Sequence, residues 1–535
     1  MIESLVIGIL ASVVGLFLGL ALARGLFWLF DQVGFTLPNS GLLLEARTVI
    51  VALVVGVLVT LIASLRPALR ATRVPPIAAV REGATLPPGR FARWRPVFSA
   101  LLALIGFALV AFALFGSGLS TTAILISMGI GALCVFLGVA FFSSQLVVPL
   151  AHVLGGPAAS IAGAPGVLAR DNSMRNPQRT ASTAAALMIG LALVTLVAML
   201  AQAILNSFFG AVDKIWATDY AITAQNNYSP IPTTVSEPLR GVPGVTAVVG
   251  VRAGEARFLD QDHSLSAVDP RASKVFKLDW TAGSQSVMDN LGPDGAFTDK
   301  DFAKKHQLAV GSPVEILVPT GTRKTVRIKG IFDPPAGGSP FGVVTISSAT
   351  FDRLFQQPKN LFVFVTINGG VTDANTQRLD KALTAFPNAK LQDQQEFKDN
   401  QASGLKQVLN VLYVLLALSI IVSLFGIINT LVLSVFERTR EIGMLRAVGT
   451  TRWQVRWMIT LESVVTSLMG AAIGIALGVI LAVLLIIRVD FLVLAWPIGS
   501  LVVFAIAAII VGLIAAILPA RRAAKLNVLE ALQYE

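Results

Sequence analysis

Eight stretches of nearly continuous apolar residues punctuate this chain of 535 residues: 5–30, 49–65, 97–115, 121–150, 181–209, 408–435, 459–487 and 498–518. About 20 apolar residues in helical form suffice to cross the hydrocarbon core of a bilayer, so each stretch predicts a transmembrane helix. The longer ones must tilt or extend past the membrane. The first run is too long and too rich in glycine for a signal-peptide core, and it has neither a basic leader nor a small-residue cleavage pattern, which predicts a retained span. Between the fifth and sixth runs the pattern changes. Short β-rich runs at 245–251, 313–318, 324–331, 342–346 and 362–367 alternate with Gly, Pro and Asp turns, and Pro319-Thr320-Gly321-Thr322 reads as a hairpin. Helical periodicity at 299–306, 348–355 and 376–386 completes a mixed α/β domain outside the membrane. Residues 202–212 and 394–407 stay helical in pattern while turning polar, as stalks leading into that domain would.

Composition agrees with a membrane α-helical protein: 54% hydrophobic, 14% charged, mean hydropathy +0.73. Charge then orients it. Arg66, Arg70, Arg73, Arg81, Arg90, Arg93 and Arg95 face Glu82 alone in one connection, and Arg438, Arg440, Arg446, Arg452 and Arg456 crowd another. Both are expected on the cytoplasmic side, which puts both termini there too. From 211 to 404 there are 20 basic and 20 acidic residues, so the whole net charge of +11 lies outside that domain. A positive-inside bias accounts for it, and no nucleic-acid partner is expected. Cys134, the only cysteine, falls within a span, so no disulfide can form within the chain.

The two ends of the chain repeat one another. Glu3-Ser4 with Gly15 and Gly19 reappears as Glu462-Ser463 with Gly474 and Gly478, each displaced by 459, while Pro67 in the next helix answers Pro519, displaced by 452. Short amphipathic tails at 77–82 and 529–533 follow each pair. Duplicated pairs of spans are a common way to build transporters. A long span, the outer domain, another span and a charged connection precede the later pair, so the earlier pair is expected to represent the tail of a repeat whose first part is missing.

Absences narrow the chemistry. No phosphate-binding Gly-x-x-x-x-Gly-Lys-Ser/Thr string occurs, His152, His263 and His306 lack metal-ligand spacing, and neither a Gly-x-Ser-x-Gly elbow nor a His-Glu-x-x-His helix is present. No enzymatic activity, catalytic residue, metal or cofactor is expected in this chain. The spans carry few charges: Glu3 and Glu462 lie at span starts and Arg24 and Arg488 near outer ends, which disfavours an ion-coupled carrier.

The most informative stretch follows the sixth span and reads Glu437-Arg438-Thr439-Arg440-Glu441-Ile442-Gly443-Met444-Leu445-Arg446-Ala447-Val448-Gly449. As a helix it sets Ile442, Leu445 and Val448 in an apolar stripe among charges, and Gly449-Thr450-Thr451 breaks it from the next helix. Two roles fit such an element: a docking ridge for a cytosolic partner, or an anchor on anionic lipid. This string, with Leu461-Glu462-Ser463 and Pro519-Ala520-Arg521-Arg522-Ala523 after it, strongly resembles the FtsX-like permease family of ABC transporters, which includes MacB-type and lipoprotein-releasing permeases. Residues 296–331 resemble the family's extracytoplasmic core domain, and 168–180 the inner-surface entry of a family repeat.

The resemblance implies a division into 1–83, the two-helix tail of a first repeat; 84–167, two linking spans; 168–210, an inner-surface segment and long span; 211–404, a MacB-like core domain; and 405–535, an FtsX-like domain. It further implies a permease whose ATP is bound and hydrolysed by a separate cytosolic ATPase, with Glu437 to Gly449 as the coupling helix and motion relayed to the outer domain. Export or extraction of a lipid-linked, peptide or drug-like substrate is the expected outcome. The alternative is a scaffold regulating an extracytoplasmic cell-wall hydrolase. Membrane lipid, and a second copy or another permease, are the further expected partners, in the plasma or inner membrane.

Overall fold

The structure is a computed structural model and describes residues 2–32, 45–71, 94–116, 121–227, 229–259, 261–489 and 491–527. The amphipathic tails expected at 77–82 and 529–533, and Arg73, Arg81, Arg90 and Arg93 of the basic connection, lie outside the described residues.

Among the described residues, eight helices are long and apolar enough to cross a membrane. We label them with the shorter helices in chain order: α1 (Ile2–Gln32), α2 (Ala46–Ala71), α3 (Arg95–Phe115), α4 (Thr121–Ala162), α5 (Ala164–Arg175) and α6 (Pro177–Ile215) precede the outer domain. Within that domain are α7 (Ser236–Arg240), α8 (Lys300–Lys305), α9 (Ser348–Leu354) and α10 (Asp373–Ala382), followed by α11 (Gln394–Glu437), α12 (Thr439–Ala447), α13 (Arg452–Arg488) and α14 (Ile498–Ala524). The fourth span is longer than its apolar run predicts. Pro149 and Pro157 lie inside α4 without ending it. The predicted stalks are helical, since α6 runs on to Ile215 and α11 starts at Gln394.

The chain divides into two compact units, Met1–Val194 with Gln407–Gly478 and Leu501–Glu535, and Thr195–Lys406 with Val479–Ser500. In the first, helices meet where side chains are smallest. A methyl group at Gly470 would lie 2.7 Å from the Ala184 carbonyl oxygen, and one at Gly474 would lie 2.5 Å from that of Met188, so α13 and α6 touch backbone to backbone. Lipid offers no hydrophobic drive for helices to associate, and close approach of this kind supplies the dispersion contacts instead.

The second unit contains eleven strands among the described residues: β1 (Tyr220–Ala224), β2 (Ile231–Pro232), β3 (Val245–Phe258), β4 (Gln261–Val268), β5 (Asp279–Ala282), β6 (Gly295–Asp299), β7 (Pro313–Leu317), β8 (Arg323–Asp333), β9 (Val344–Ser347), β10 (Lys359–Ile367) and β11 (Ala389–Asp393). Their main path runs β11-β1-β10-β3-β4-β9-β6-β8-β5, with β4–β9 and β6–β8 parallel. The predicted hairpin forms, Leu317 pairing with Arg323 while Gly321 takes a left-handed φ of 83°. Strands β1, β2, β4, β5, β6 and β11 were not legible from pattern. β1 is buried at all five positions and so shows no alternation, and β4 is polar at one end and buried at the other. Aromatic edges knit one part of the core: Phe276 meets Phe341 at 5.0 Å and Phe364 at 4.9 Å between ring centroids. A buried ion pair joins Arg252 to Asp269 at 2.7 Å, and Arg252 also donates to Asp352 at 3.2 Å. Burial pushes the Asp352 carboxyl up, against the pull of Arg252.

Gly474→Val forces α13 from α6 and is expected to cost about 2 kcal/mol, read as a lower thermal midpoint of the purified protein. Gly15→Val, at the repeat-related position with open space around it, should leave that midpoint unchanged.

Candidate coupling site

At one end of the first unit, five chain segments converge on a polar cleft of about 340 Å³. Its construction begins with α12. Gly449 adopts a φ of 112°, which only glycine takes easily, and terminates the helix. The next helix starts on a reciprocal cap: the Thr451 N–H donates to Gln454 Oε1 at 2.8 Å, and the Gln454 N–H to Thr451 Oγ1 at 3.3 Å. The predicted break at Gly449-Thr450-Thr451 is therefore real, and it frees α12 to lie as a separate short helix.

Ion pairs hold it there. Arg438 donates to Asn172 Oδ1 at 2.5 Å and to Glu441 at 3.2 Å, and its guanidinium lies 3.5 Å from Glu462. Arg175 contacts both oxygens of Glu441 at 3.0 Å. Arg179 pairs with Glu437 and donates to the Thr430 carbonyl at 2.7 Å, while Arg446 donates to the Leu526 carbonyl. The carboxylates and guanidiniums thus form a chain in which most charges have two partners, the arrangement in which partly buried pairs hold geometry best.

The apolar stripe expected of α12 is split. Ile442 is buried in a cluster with Val435, Val455, Met458, Ile459, Ala520 and Ala523, so it serves the fold and is not presented to a partner. Gly443 is buried beside it, and Leu445 and Arg446 are half-buried. The exposed face consists of Arg440, Met444, Ala447, Val448 and Gly449, with Val448 90% exposed. Of the charged residues singled out from sequence, Glu437, Arg438 and Glu441 are engaged within the chain, and among the described residues Arg440 makes no ion pair. Sequence reasoning missed Asn172, Arg175, Arg179 and Glu462 as members of this site. The available signal was three polar residues at helical spacing immediately before an apolar span.

A second concavity lies wholly in the other unit. Phe208, Trp216, Phe276, Phe341, Phe362, Phe364 and Phe397 line a cavity of about 370 Å³, with Ser264, Ser266, Ser339 and Gln401 among its polar groups. Among the described residues the buried Trp216 indole N–H has no hydrogen-bond partner. The loop carrying Gly337 and Gly338 borders this cavity, and its Gly337 N–H donates to the Phe491 carbonyl at 2.7 Å. His263 and His306, distant in sequence, flank the Phe302 ring at 5.2 and 4.6 Å. Among the described residues no group of three His, Cys, Asp or Glu side chains is placed to hold a metal ion.

Comparison with known proteins adds the following. Residues 180–382 match the MacB-like periplasmic core domain and 413–528 the FtsX-like permease C-terminal domain. The uncharacterized ABC transporter permease protein Rv0987 of Mycobacterium tuberculosis is 21% identical over 487 residues, covering 85% of this chain. The chain spans 54% of the length of that relative. Among solved structures, the extracellular domain of the noncanonic ABC-type transporter YknZ from Gram-positive bacteria aligns over 33% of this chain and 99% of its own, at 15% identity and a TM-score of 0.26. A domain of a Porphyromonas gingivalis permease protein aligns over 34% of this chain and 88% of its own, at 14% identity and a TM-score of 0.24.

Replacing Arg438 with Met strands Glu462 and Glu441 without their shared cation and is expected to cost about 3 kcal/mol, measured as thermal unfolding in detergent. Arg440→Met, on the exposed face, should leave the midpoint in place.

Proposed function

We propose, from the premise that this chain belongs among the FtsX/MacB-like permeases of ABC transporters, that it couples ATP hydrolysis on a separate cytosolic ATPase to movement of its outer domain. The observation that carries this reading is the exposed face of α12. Arg440, Met444, Ala447 and Val448 stand together on a helix whose opposite side is pinned by Ile442 and the Arg438 network. A lever must be rigid toward its own protein and bare toward the motor. Ile442 is withdrawn into the interior, which leaves Met444, Ala447 and Val448 as the apolar part of the exposed face, beside Arg440.

Force delivered to α12 enters the long helices directly. Glu437 ends α11 and Arg179 lies in the first turn of α6, and both helices contribute residues to the first unit and to the second. At the other end of these helices Asp213 of α6 pairs with Lys398 of α11, which binds the two stalks together. The Ser207 hydroxyl accepts from the Val493 N–H at 2.7 Å, so the loop between α13 and α14 is tied to the same stalk. The reading places ATP on the partner, both termini and α12 in the cytoplasm, and the outer domain beyond the membrane.

The aromatic cavity supports one substrate class. A volume of about 370 Å³ walled by rings, with an indole donor that is unpartnered among the described residues, fits the apolar portion of an amphiphile carrying a carbonyl or ester oxygen. We therefore favour export or extraction of a lipid-linked or drug-like amphiphile over regulation of a hydrolase.

Arg440→Glu with Val448→Asp is expected to lower co-purification of the ATPase by about tenfold or more, as interface hot spots do, while the thermal midpoint stays unchanged. Unchanged association would remove α12 as the docking element. In nanodiscs, an alkyl-diazirine amphiphile should label residues lining the aromatic cavity, and Ser266→Phe should abolish that labelling. Labelling confined to the membrane helices would count against the substrate class.

A further inference from the structure

Cations without acids gather at the end of the first unit where α13 begins and α14 finishes. Arg452 and Arg456 stand exposed in the first turns of α13, and Arg521, Arg522 and Lys525 stand exposed in the last turn of α14 and just beyond it. The two groups share one end of the unit, because Val455, Met458 and Ile459 of α13 pack with Ala520 and Ala523 of α14. Among the described residues none of the five makes an ion pair, while Glu437, Glu441 and Glu462 are each met by an arginine. The surface therefore carries five positive charges that the described acids of the chain leave uncompensated.

Helix dipoles account for only part of this. Cations suit the C-terminal end of α14, but the positive end of the α13 dipole opposes Arg452 and Arg456, and no acid lies in the first turn of α13 to offset it. What surrounds the cations indicates their use. Val503, Ile506, Ile510, Ile514, Ile517 and Leu518 of α14 are 45% to 60% exposed and recur at helical spacing, an apolar stripe on the outside of the unit. Arg521 lies four residues past Ile517, and Arg522 and Lys525 lie four and seven past Leu518, so the cations continue the same stripe. On α13, Trp453 is 63% exposed and its ring lies 5.3 Å from that of Trp457, each indole one residue along from an arginine. Indoles favour the level of lipid headgroups, where the ring meets hydrocarbon and the N–H meets polar groups.

We infer that this end of α13 and α14 is a docking surface for anionic phospholipid. Acyl chains lie along the α14 stripe and the phosphate meets Arg521, Arg522 and Lys525, with Arg452, Arg456 and the indole pair at the same headgroup level. Guanidinium forks match phosphate oxygens in pairs. A zwitterionic lipid covers the stripe equally well, but its ammonium brings a further cation to a surface that already holds five, whereas an anionic headgroup brings the charge that is lacking. An acidic protein segment supplies the charge and leaves unmatched an apolar stripe that runs on into the spanning part of α14. The inference rests on charge and exposure at this end of the unit, not on the role proposed for α12.

The full chain in nanodiscs of phosphatidylcholine with about a quarter phosphatidylglycerol tests it, the lipids that stay with the released protein being counted by native mass spectrometry. Phosphatidylglycerol should be retained over phosphatidylcholine, and changing Arg452, Arg456, Arg521, Arg522 and Lys525 together to Gln should lower that preference about tenfold. Removing five exposed charges from the outer domain, with Lys277, Lys304, Lys305, Lys359 and Lys381 changed to Gln, should leave it unchanged. Phosphatidylglycerol brominated on its acyl chains should also quench tryptophan emission more than brominated phosphatidylcholine does. That difference should disappear when Trp453→Phe and Trp457→Phe are combined, a reading that needs no charge substitution. Equal retention or equal quenching by the two lipids, a preference untouched by the five substitutions, or an equal loss on altering the outer domain overturns the inference. So does loss of ATPase co-purification in the five-residue variant with phosphatidylglycerol retention intact, which would assign the surface to a protein.

Discussion

The guanidinium of Arg438 ties α12 to two other helices. It reaches Asn172 of α5, Glu441 of α12 and Glu462 of α13, and through Glu441 it reaches Arg175. At a low-dielectric boundary such contacts are strong only when every member is satisfied, and an unpaired member is costly. The tilt and position of α12, the entry of α6 and the start of α13 are consequently not independent. Moving one of them means moving or breaking the rest, which is the property a coupling element needs.

The same economy governs the apolar parts. Helices in lipid associate by close packing and not by hydrophobic drive, so glycine and alanine mark the contacts while leucine and isoleucine mark the lipid side. Gly470 and Gly474 against α6, and Gly512 against α13, are such contacts. The outer domain has the ordinary aqueous logic, with a ring-filled core and a sheet whose buried strands lose alternation. Two solvents thus act on one chain. This explains why some glycines mark turns, as Gly321 and Gly449 do, and others mark helix crossings.

Much of this architecture is legible in the sequence. Apolar run length identified eight spanning helices because only a helix satisfies its own backbone in lipid. The hairpin at 319–322, the break at 449–451 and the stalk ends were readable because turn and cap chemistry is local. The family resemblance rested on a long ordered string. Strands β1, β5 and β11 were not readable, since a buried or short strand carries no period of its own.

The sequence by itself determined which segments are helices in lipid, where charge accumulates, and that one pair of spans echoes another. Only the tertiary structure decided which side of α12 faces outward. Ile442, Leu445 and Val448 spread over about 120° of one side of the helix, and the first is buried while the last is exposed, because burial depends on which part of that side α13 and α14 cover. Nor could spacing reveal that Asn172, Arg175 and Glu462 converge with Arg438. Those contacts span 266 and 290 residues of chain, and helix packing alone brings them within hydrogen-bond reach.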